Sequence, residues 1–194
     1  MNNQANLQAV DWSQIPAPLD DGAMTHLPGA MLPNVMLPAS DGTVVTLASL
    51  PGRTVLYGYP MTGQPGVALP DGWDGVPGAR GCTPQSCAFR DHHAELRAAG
   101  AHHVYGISTQ DTGYQREAAE RLHLPFALLS DADLVFTSAA RLATLVVDAK
   151  TLMKRFALIA DDGRVTALFY PVFPPDRNAG DVLAWLLANP KVPS

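Results

Sequence analysis

Residues 81–91 read Gly-Cys-Thr-Pro-Gln-Ser-Cys-Ala-Phe-Arg-Asp, and Cys82 and Cys87 within them are the only two cysteines of the chain. The segment begins where a Gly- and Pro-rich stretch gives way to helical periodicity. Pro84 suits a first helical turn, where its missing N–H has no partner to lose. Phe89, His93, Leu96 and Gly100 then recur near the 3.6-residue period, with Arg and Glu between them. Gly100 is a stop signal. The pattern predicts one helix from Thr83 to Ala99, with Cys82 at its N-terminus. Unpaired N–H groups and the positive end of the helix dipole stabilise a thiolate at such a position.

The spacing adds a second constraint. Five residues of regular helix rise about 7.5 Å, whereas the Cα atoms of a disulfide lie within roughly 7 Å. A Cys82–Cys87 bond therefore requires the helix to unwind at its start. Reduced, the two thiols share a helix quietly; oxidised, they report a local change of conformation. The same spacing also suits two small apolar residues, one of them in the core, or a metal-binding pair.

The stretch GCTPQSCAFRD resembles the active-site segment of the peroxiredoxin Q, or bacterioferritin comigratory protein, group. The likeness continues through YGIS at 105–108, LPFALLSDAD at 124–133 and RFALIADDGRV at 155–165, and it covers roughly residues 27–188. The resemblance implies an α/β, thioredoxin-like fold with a central mixed sheet flanked by helices. It implies a peroxidase in which Cys82 is the nucleophile and Cys87 the resolving thiol. The expected substrates are hydrogen peroxide and organic hydroperoxides, and the expected reductant is thioredoxin or a similar dithiol. Two alternatives use the same cysteines: a non-catalytic redox sensor and a general thiol–disulfide oxidoreductase.

Other site residues follow from the same resemblance. The family's later-strand arginine matches Arg155, which would stabilise the thiolate and polarise the peroxide. Its plainer reading is a solvated charge at a strand end, beside an equally charged Lys154. Gln85 matches a polar family position, or simply faces water on the helix. The family's threonine and proline, three and seven residues before the nucleophile, are replaced here by Ala79 and Gly75. Tyr59-Pro60-Met61-Thr62 stands earlier, before the long loop, so the loop reads as an insertion inside the motif. Pro60 and Thr62 are then expected to fold back into the pocket, although Thr62 also suits a turn. Arg80, two residues before Cys82, is a second candidate donor to the thiolate or substrate.

The insertion itself spans residues 62–81 and holds six glycines and three prolines. Loops longer than about 12–15 residues are commonly functional or disordered. We expect this one to cover the thiol pocket, with Trp73 and Leu69 as its apolar contacts; a tolerated surface insertion is the plainer alternative.

At 194 residues the chain is expected to hold one domain, residues 27–194, behind an aperiodic extension, residues 1–26. A hydrophobic content of 47% suits a globular core, and a net charge of −5 without a basic tract argues against a nucleic-acid partner. The start lacks a basic segment followed by an apolar run, so no secretory signal is expected. No apolar stretch is long enough for a membrane span. Two cysteines suit a reducing cytoplasm better than a disulfide scaffold. No haem, flavin or nicotinamide motif appears, so no cofactor is expected and electrons must come from another protein or a small thiol. His92-His93 and His102-His103 are adjacent pairs whose side chains diverge, so no metal site is expected. A monomer or homodimer is expected.

Periodicity gives the remaining elements. Strands are predicted at Thr43–Leu47, Thr54–Tyr59, His103–Ser108 and Phe126–Leu129. Helices are predicted at Tyr114–Leu122 and Leu134–Leu142. Antiparallel strands are then predicted at Thr144–Val147, Lys154–Ala160 and Val165–Tyr170, with Asp162-Gly163 as a turn. Asn178–Ala188 is predicted as a final helix with Val182, Leu183, Trp185, Leu186 and Leu187 inward.

Overall fold

The run RTVLYG, Arg53–Gly58, is buried at every position. A strand with no exposed face belongs inside a sheet covered on both sides. The computed structural model describes residues 10–191 and places this run at the centre of such a sheet.

In chain order the elements begin with β1 (Leu37–Pro38), β2 (Val44–Val45) and β3 (Arg53–Gly58). Two helices follow, α1 (Cys82–Asp91) and α2 (His93–Ala98). Next come β4 (His103–Ser108), α3 (Thr112–Arg121), β5 (Leu128–Ser130) and α4 (Val135–Ala139). The chain closes with β6 (Thr144–Val147), β7 (Lys150–Met153), β8 (Phe156–Asp161), β9 (Arg164–Phe169) and α5 (Asn178–Ala188). The main sheet runs β5-β4-β3-β8-β9. β3, β4 and β5 are parallel, whereas β8 and β9 add antiparallel. The sheet is therefore mixed, as expected.

Side chains alternate across β3 and divide the core. Leu56 faces one apolar cluster with Ile107, Phe136 and Leu158, which residues 24–47 also enter. Val55 and Tyr57 face the other, with Phe89, Leu96, Val182 and Leu186 from α1, α2 and α5. Tyr57 stacks on Phe89 at 4.2 Å between ring centroids, which docks α1 onto β3.

Several elements differ from the sequence prediction. The single helix expected over Thr83–Ala99 is two, broken at His92, where φ is −89° and ψ is 2°. The N–H of His92 still reaches Ala88 O and that of Leu96 reaches His92 O, so the break is a kink. The strand expected over Lys154–Ala160 begins only at Phe156, and an unpredicted β7 pairs with β6. The turn between β6 and β7 is Asp148-Ala149, both at positive φ, without the glycine that flags such turns. The strand expected over Thr43–Leu47 shrinks to Val44–Val45, because Leu47–Ser49 turns into a short 3-10 segment. Leu187, expected inward on α5, is 66% exposed, while Val182 and Leu186 are buried.

The long insertion is ordered by packing. Trp73 is buried with Ala79, Val147 and Leu152, and Met61, Val76 and Leu145 close around them. The loop is thus pinned against the β6–β7 hairpin. Leu69 does not share in this; it is 45% exposed.

Candidate active site

Cys82 opens α1, and Gly81 before it holds φ at +104°. A side chain at Gly81 is excluded twice over. The backbone angle disfavours it, and a Cβ there meets Pro175 Cγ at 2.5 Å and Trp12 Cη2 at 2.8 Å. The sulfur that follows is buried, 3% exposed. Its thiol donates to Ala79 O at 3.5 Å.

Arg155 comes from the gap between β7 and β8, 73 residues further on, and its Nη2 donates to Cys82 Sγ at 3.2 Å. The β3–β8 ladder explains the meeting. Phe156 pairs with Gly58, the last residue of β3, so Arg155 leaves the sheet at the end of β3 where α1 begins. Arg155 is buried, 3% exposed. Nη2 also donates to the carbonyls of Gly78, Ala79 and Arg80, at 3.2, 3.1 and 3.1 Å. Nη1 donates to Gln85 Oε1. Among the described residues, Nε, buried, has no partner.

Gln85 is fully buried in α1 and does not face water. It accepts from Arg155 and donates through Nε2 to Asn178 Oδ1 at 2.9 Å. Cys82, Arg155, Gln85 and Asn178 therefore form one buried chain across α1, the β7–β8 gap and the start of α5. A guanidinium held this way places a permanent positive charge beside the sulfur, where water screens it little.

Cys87 sits half-buried on the same helix, and burial pushes its thiol above the ordinary cysteine value. Both cysteines are free thiols. Behind the site, Tyr57 donates its hydroxyl to Ser86 Oγ at 3.1 Å, and burial raises the pKa of Tyr57 and of Tyr59. The Tyr59 hydroxyl is buried without a partner among the described residues.

The remaining predicted residues are not hydrogen-bonded to the sulfur. Pro60 is buried directly after β3. Thr62 is buried too, but its N–H and hydroxyl donate to Gln110 Oε1 at 3.0 and 3.1 Å. Gln110 Nε2 returns a bond to Thr62 O at 3.1 Å, so Thr62 ties the insertion to the loop after β4. The Arg80 side chain turns to the surface and pairs with Asp74 at 3.2 Å; only its carbonyl meets Arg155. Asn178 and the three loop carbonyls were not foreseen. An asparagine at a helix start reads as a cap, and backbone carbonyls leave no residue signature.

Comparison with known proteins bears on the family and the fold. The redoxin family model matches residues 27–183. Peroxiredoxin Q of Oryza sativa subsp. japonica, a chloroplastic protein, is 32% identical over 168 residues, covering 80% of this chain. The chain spans 64% of the length of that relative. Among solved structures, peroxidoxin BcpB from Mycobacterium tuberculosis superposes with a TM-score of 0.68 at 27% identity, covering 84% of this chain and 98% of that one. Xanthomonas campestris peroxiredoxin Q superposes with a TM-score of 0.65 at 25% identity, covering 86% and 97%. The mixed sheet, the buried cysteine at a helix start and the matched span lead to one conclusion: this chain belongs to the redoxin family, as a peroxiredoxin Q-like member with a thioredoxin-like fold.

Proposed function

We propose that the protein is a thiol-dependent peroxidase, with Cys82 as its nucleophile and Cys87 as its resolving thiol. The observation that carries this is the Arg155 fork. Nη2 lies 3.2 Å from Cys82 Sγ, and Nε beside it is an unpaired buried donor. In a guanidinium these two N–H groups lie on one edge. Arg53 uses that edge to clasp both oxygens of Asp161, at 2.8 and 2.9 Å. In Arg155 one prong serves the sulfur, and the other is a buried donor without a partner among the described residues.

The reaction balances as follows. The Cys82 thiolate attacks the terminal oxygen of ROOH, an S–O bond forms, and the O–O bond breaks with its electron pair leaving on RO⁻. That alkoxide takes up a proton and departs as ROH, or as water when R is hydrogen. Arg155 Nε stabilises the charge gathering on the leaving oxygen. Cys87 then attacks the sulfenic sulfur, water leaves, and a Cys82–Cys87 disulfide forms. Thioredoxin or a similar dithiol reduces it, becoming a disulfide in turn. A reducing compartment such as the cytoplasm suits this cycle. Because both cysteines lie on one helix, a monomer completes it as well as a homodimer does. Residues 27–194 constitute the peroxidase unit and residues 1–26 an extension to it. Pro60 and Thr62 have no step in this cycle, and Thr62 is bonded to Gln110 instead. A redox sensor or a general oxidoreductase has no need of an arginine fork on a buried thiol.

The test is peroxide consumption by the purified protein with a dithiol reductant. Cys82→Ser is expected to abolish it, because a hydroxyl is a far weaker nucleophile at neutral pH. Cys87→Ser is expected to complete one turnover and then stall as a sulfenic acid prone to overoxidation. Arg155→Ala should slow sulfenate formation by about 100-fold, the usual cost of removing one such donor, and Arg155→Lys should rescue it only in part. A Cys82→Ser protein with the wild-type rate would overturn the assignment.

A further inference from the structure

The segment that leads into Cys82 is gripped from outside by the N-terminal extension. Trp12 Cη2 stands 2.8 Å from where a Cβ on Gly81 would lie, and Pro18 Cβ stands 3.3 Å from one on Gly78. Both contacts fall on the short run whose carbonyls, from Gly78, Ala79 and Arg80, accept from Arg155. The extension is itself fastened at points beyond that run. Trp12 donates through Nε1 to Asp176 Oδ2 at 2.8 Å, before α5, and its ring meets Phe173 edge-on at 6.0 Å. Asp21 accepts from Lys154 Nζ at 2.6 Å and from the Tyr170 hydroxyl at 2.7 Å. The extension thus crosses the weakest turn of α1. The helix ladder opens with Gln85 N–H on Gly81 O at 3.0 Å, and Pro84 has no N–H to add to it. Deeper in the helix, Gln85 is bonded to Asn178, Ser86 to Tyr57, and Phe89 is stacked on Tyr57. Residues 81–84 are therefore the turn whose unwinding toward a Cys82–Cys87 disulfide breaks the fewest of these bonds.

We propose that Trp12 is a positioning residue for Cys82: it holds the start of α1 wound, with the sulfur on Arg155, and so favours the peroxide step while opposing the disulfide step. The proposal rests on the peroxidase reading above and gives the extension a part in that cycle. The physical reason is linkage. The indole meets Gly81 in the wound form and loses that contact when the turn opens. A contact made in one of two states shifts their equilibrium by its differential free energy. Stabilising the dithiol form in this way makes the disulfide more oxidising. The two steps need opposite shapes at Gly81. Attack on peroxide uses Cys82 Sγ where it stands, 3.2 Å from Arg155 Nη2. Attack by Cys87 on the sulfenic sulfur forms the S–S bond and releases water, and it needs Cys82 drawn away toward Cys87.

The test compares the full-length protein with Trp12→Ala and Trp12→Phe. Trp12 is half-buried and lies outside the apolar clusters, so its loss leaves the core intact. First, the Cys82–Cys87 disulfide is equilibrated with reduced and oxidised dithiothreitol, which uses no peroxide. Trp12→Ala is expected to shift the equilibrium about tenfold toward the disulfide, a potential lower by about 30 mV. Trp12→Phe keeps a ring over Gly81 but loses the bond to Asp176, and should shift it less. Second, each protein is mixed with one equivalent of hydrogen peroxide and quenched at intervals. Mass spectrometry then follows thiol, dimedone-trapped sulfenic acid and disulfide. In Trp12→Ala the sulfenic acid should form severalfold more slowly than in wild type, and its conversion to disulfide should be severalfold faster. A general loosening of the fold does not produce that opposite movement. An equilibrium unchanged within twofold in Trp12→Ala, or both steps slowed together, overturns the role. Because the first measurement needs no turnover, a wild-type protein inert toward peroxide would overturn the peroxidase reading, while a tenfold shift would still uphold the hold of Trp12 on the helix start.

Discussion

Gln85 carries no charge and performs no step, yet it sets where the Arg155 fork points. Its Oε1 accepts from Nη1, and its amide is fixed in turn by Asn178 at 2.9 Å. Removing Asn178 leaves a buried amide unpaired, which costs about 1–3 kcal/mol. Asn178→Ala is therefore expected to lower stability and to slow sulfenate formation severalfold, both read by stopped-flow peroxide mixing and thermal unfolding. Gln85→Glu separates positioning from packing. It keeps the acceptor and the size but sets a negative charge against Arg155, and should slow the peroxide step more than Asn178→Ala does. Equal peroxide rates in both variants and wild type would reduce the pair to packing. At this scale Cys82, Cys87 and Arg155 were legible through motifs. Asn178 was not, because it lies 93 residues from Gln85 and only folding makes them neighbours.

Among the elements, the extension behaves as a strap across the start of α1. Trp12 lies against Gly81, donates to Asp176 Oδ2 at 2.8 Å, and meets Phe173 edge-on at 6.0 Å. Asp21 fastens the other end. The bonds from Lys154 and Tyr170 hold its carboxyl well below the usual carboxylate range. A lowered folded-state pKa gives stability that is present above the unfolded value and lost as pH falls through the folded one. The fastening is thus complete above about pH 4 and weakens below it. It is exposed, so salt also screens it. Asp21→Asn at pH 7 should mimic the acid form, with faster protease cleavage within residues 12–20 than in wild type; equal cleavage would show that the apolar contacts suffice. The helix that opens at Gly81 must unwind for Cys82 to reach Cys87, so both Trp12 and the buried Trp73 stand beside the moving segment. The sequence signalled this loop by composition. It did not signal the kink at His92 or the hairpin turn at Asp148-Ala149, which local propensity does not mark.

Among the described residues, two apolar clusters cover the five-stranded mixed sheet and a third lies under the insertion, with β3 and β8 side by side in that sheet. Gly58 pairs with Phe156 there, and a Cβ at Gly58 would stand 2.1 Å from the Phe156 ring. That close approach brings Arg155 to the end of β3. Gly58→Ala is expected to overpack the junction at a cost of about 1–3 kcal/mol. For a chain of this size that is a fall in melting temperature of at least about 2 °C, measured by calorimetry. An unchanged melting temperature would mean that the ring moves freely.

The sequence by itself determined most of the strands and helices, the cysteine pair at a helix start, and the family likeness, because each rests on residues close together in the chain; it did not determine β1, β7 or the break at His92. Only the tertiary structure decided that Arg155 meets Cys82, that Gln85 is buried, that Arg80 turns outward and that Thr62 binds Gln110. The physical reason is range. Periodicity and turn chemistry act over a few residues, whereas the partners of a buried guanidinium are chosen by strand register and by which backbone carbonyls have no other donor.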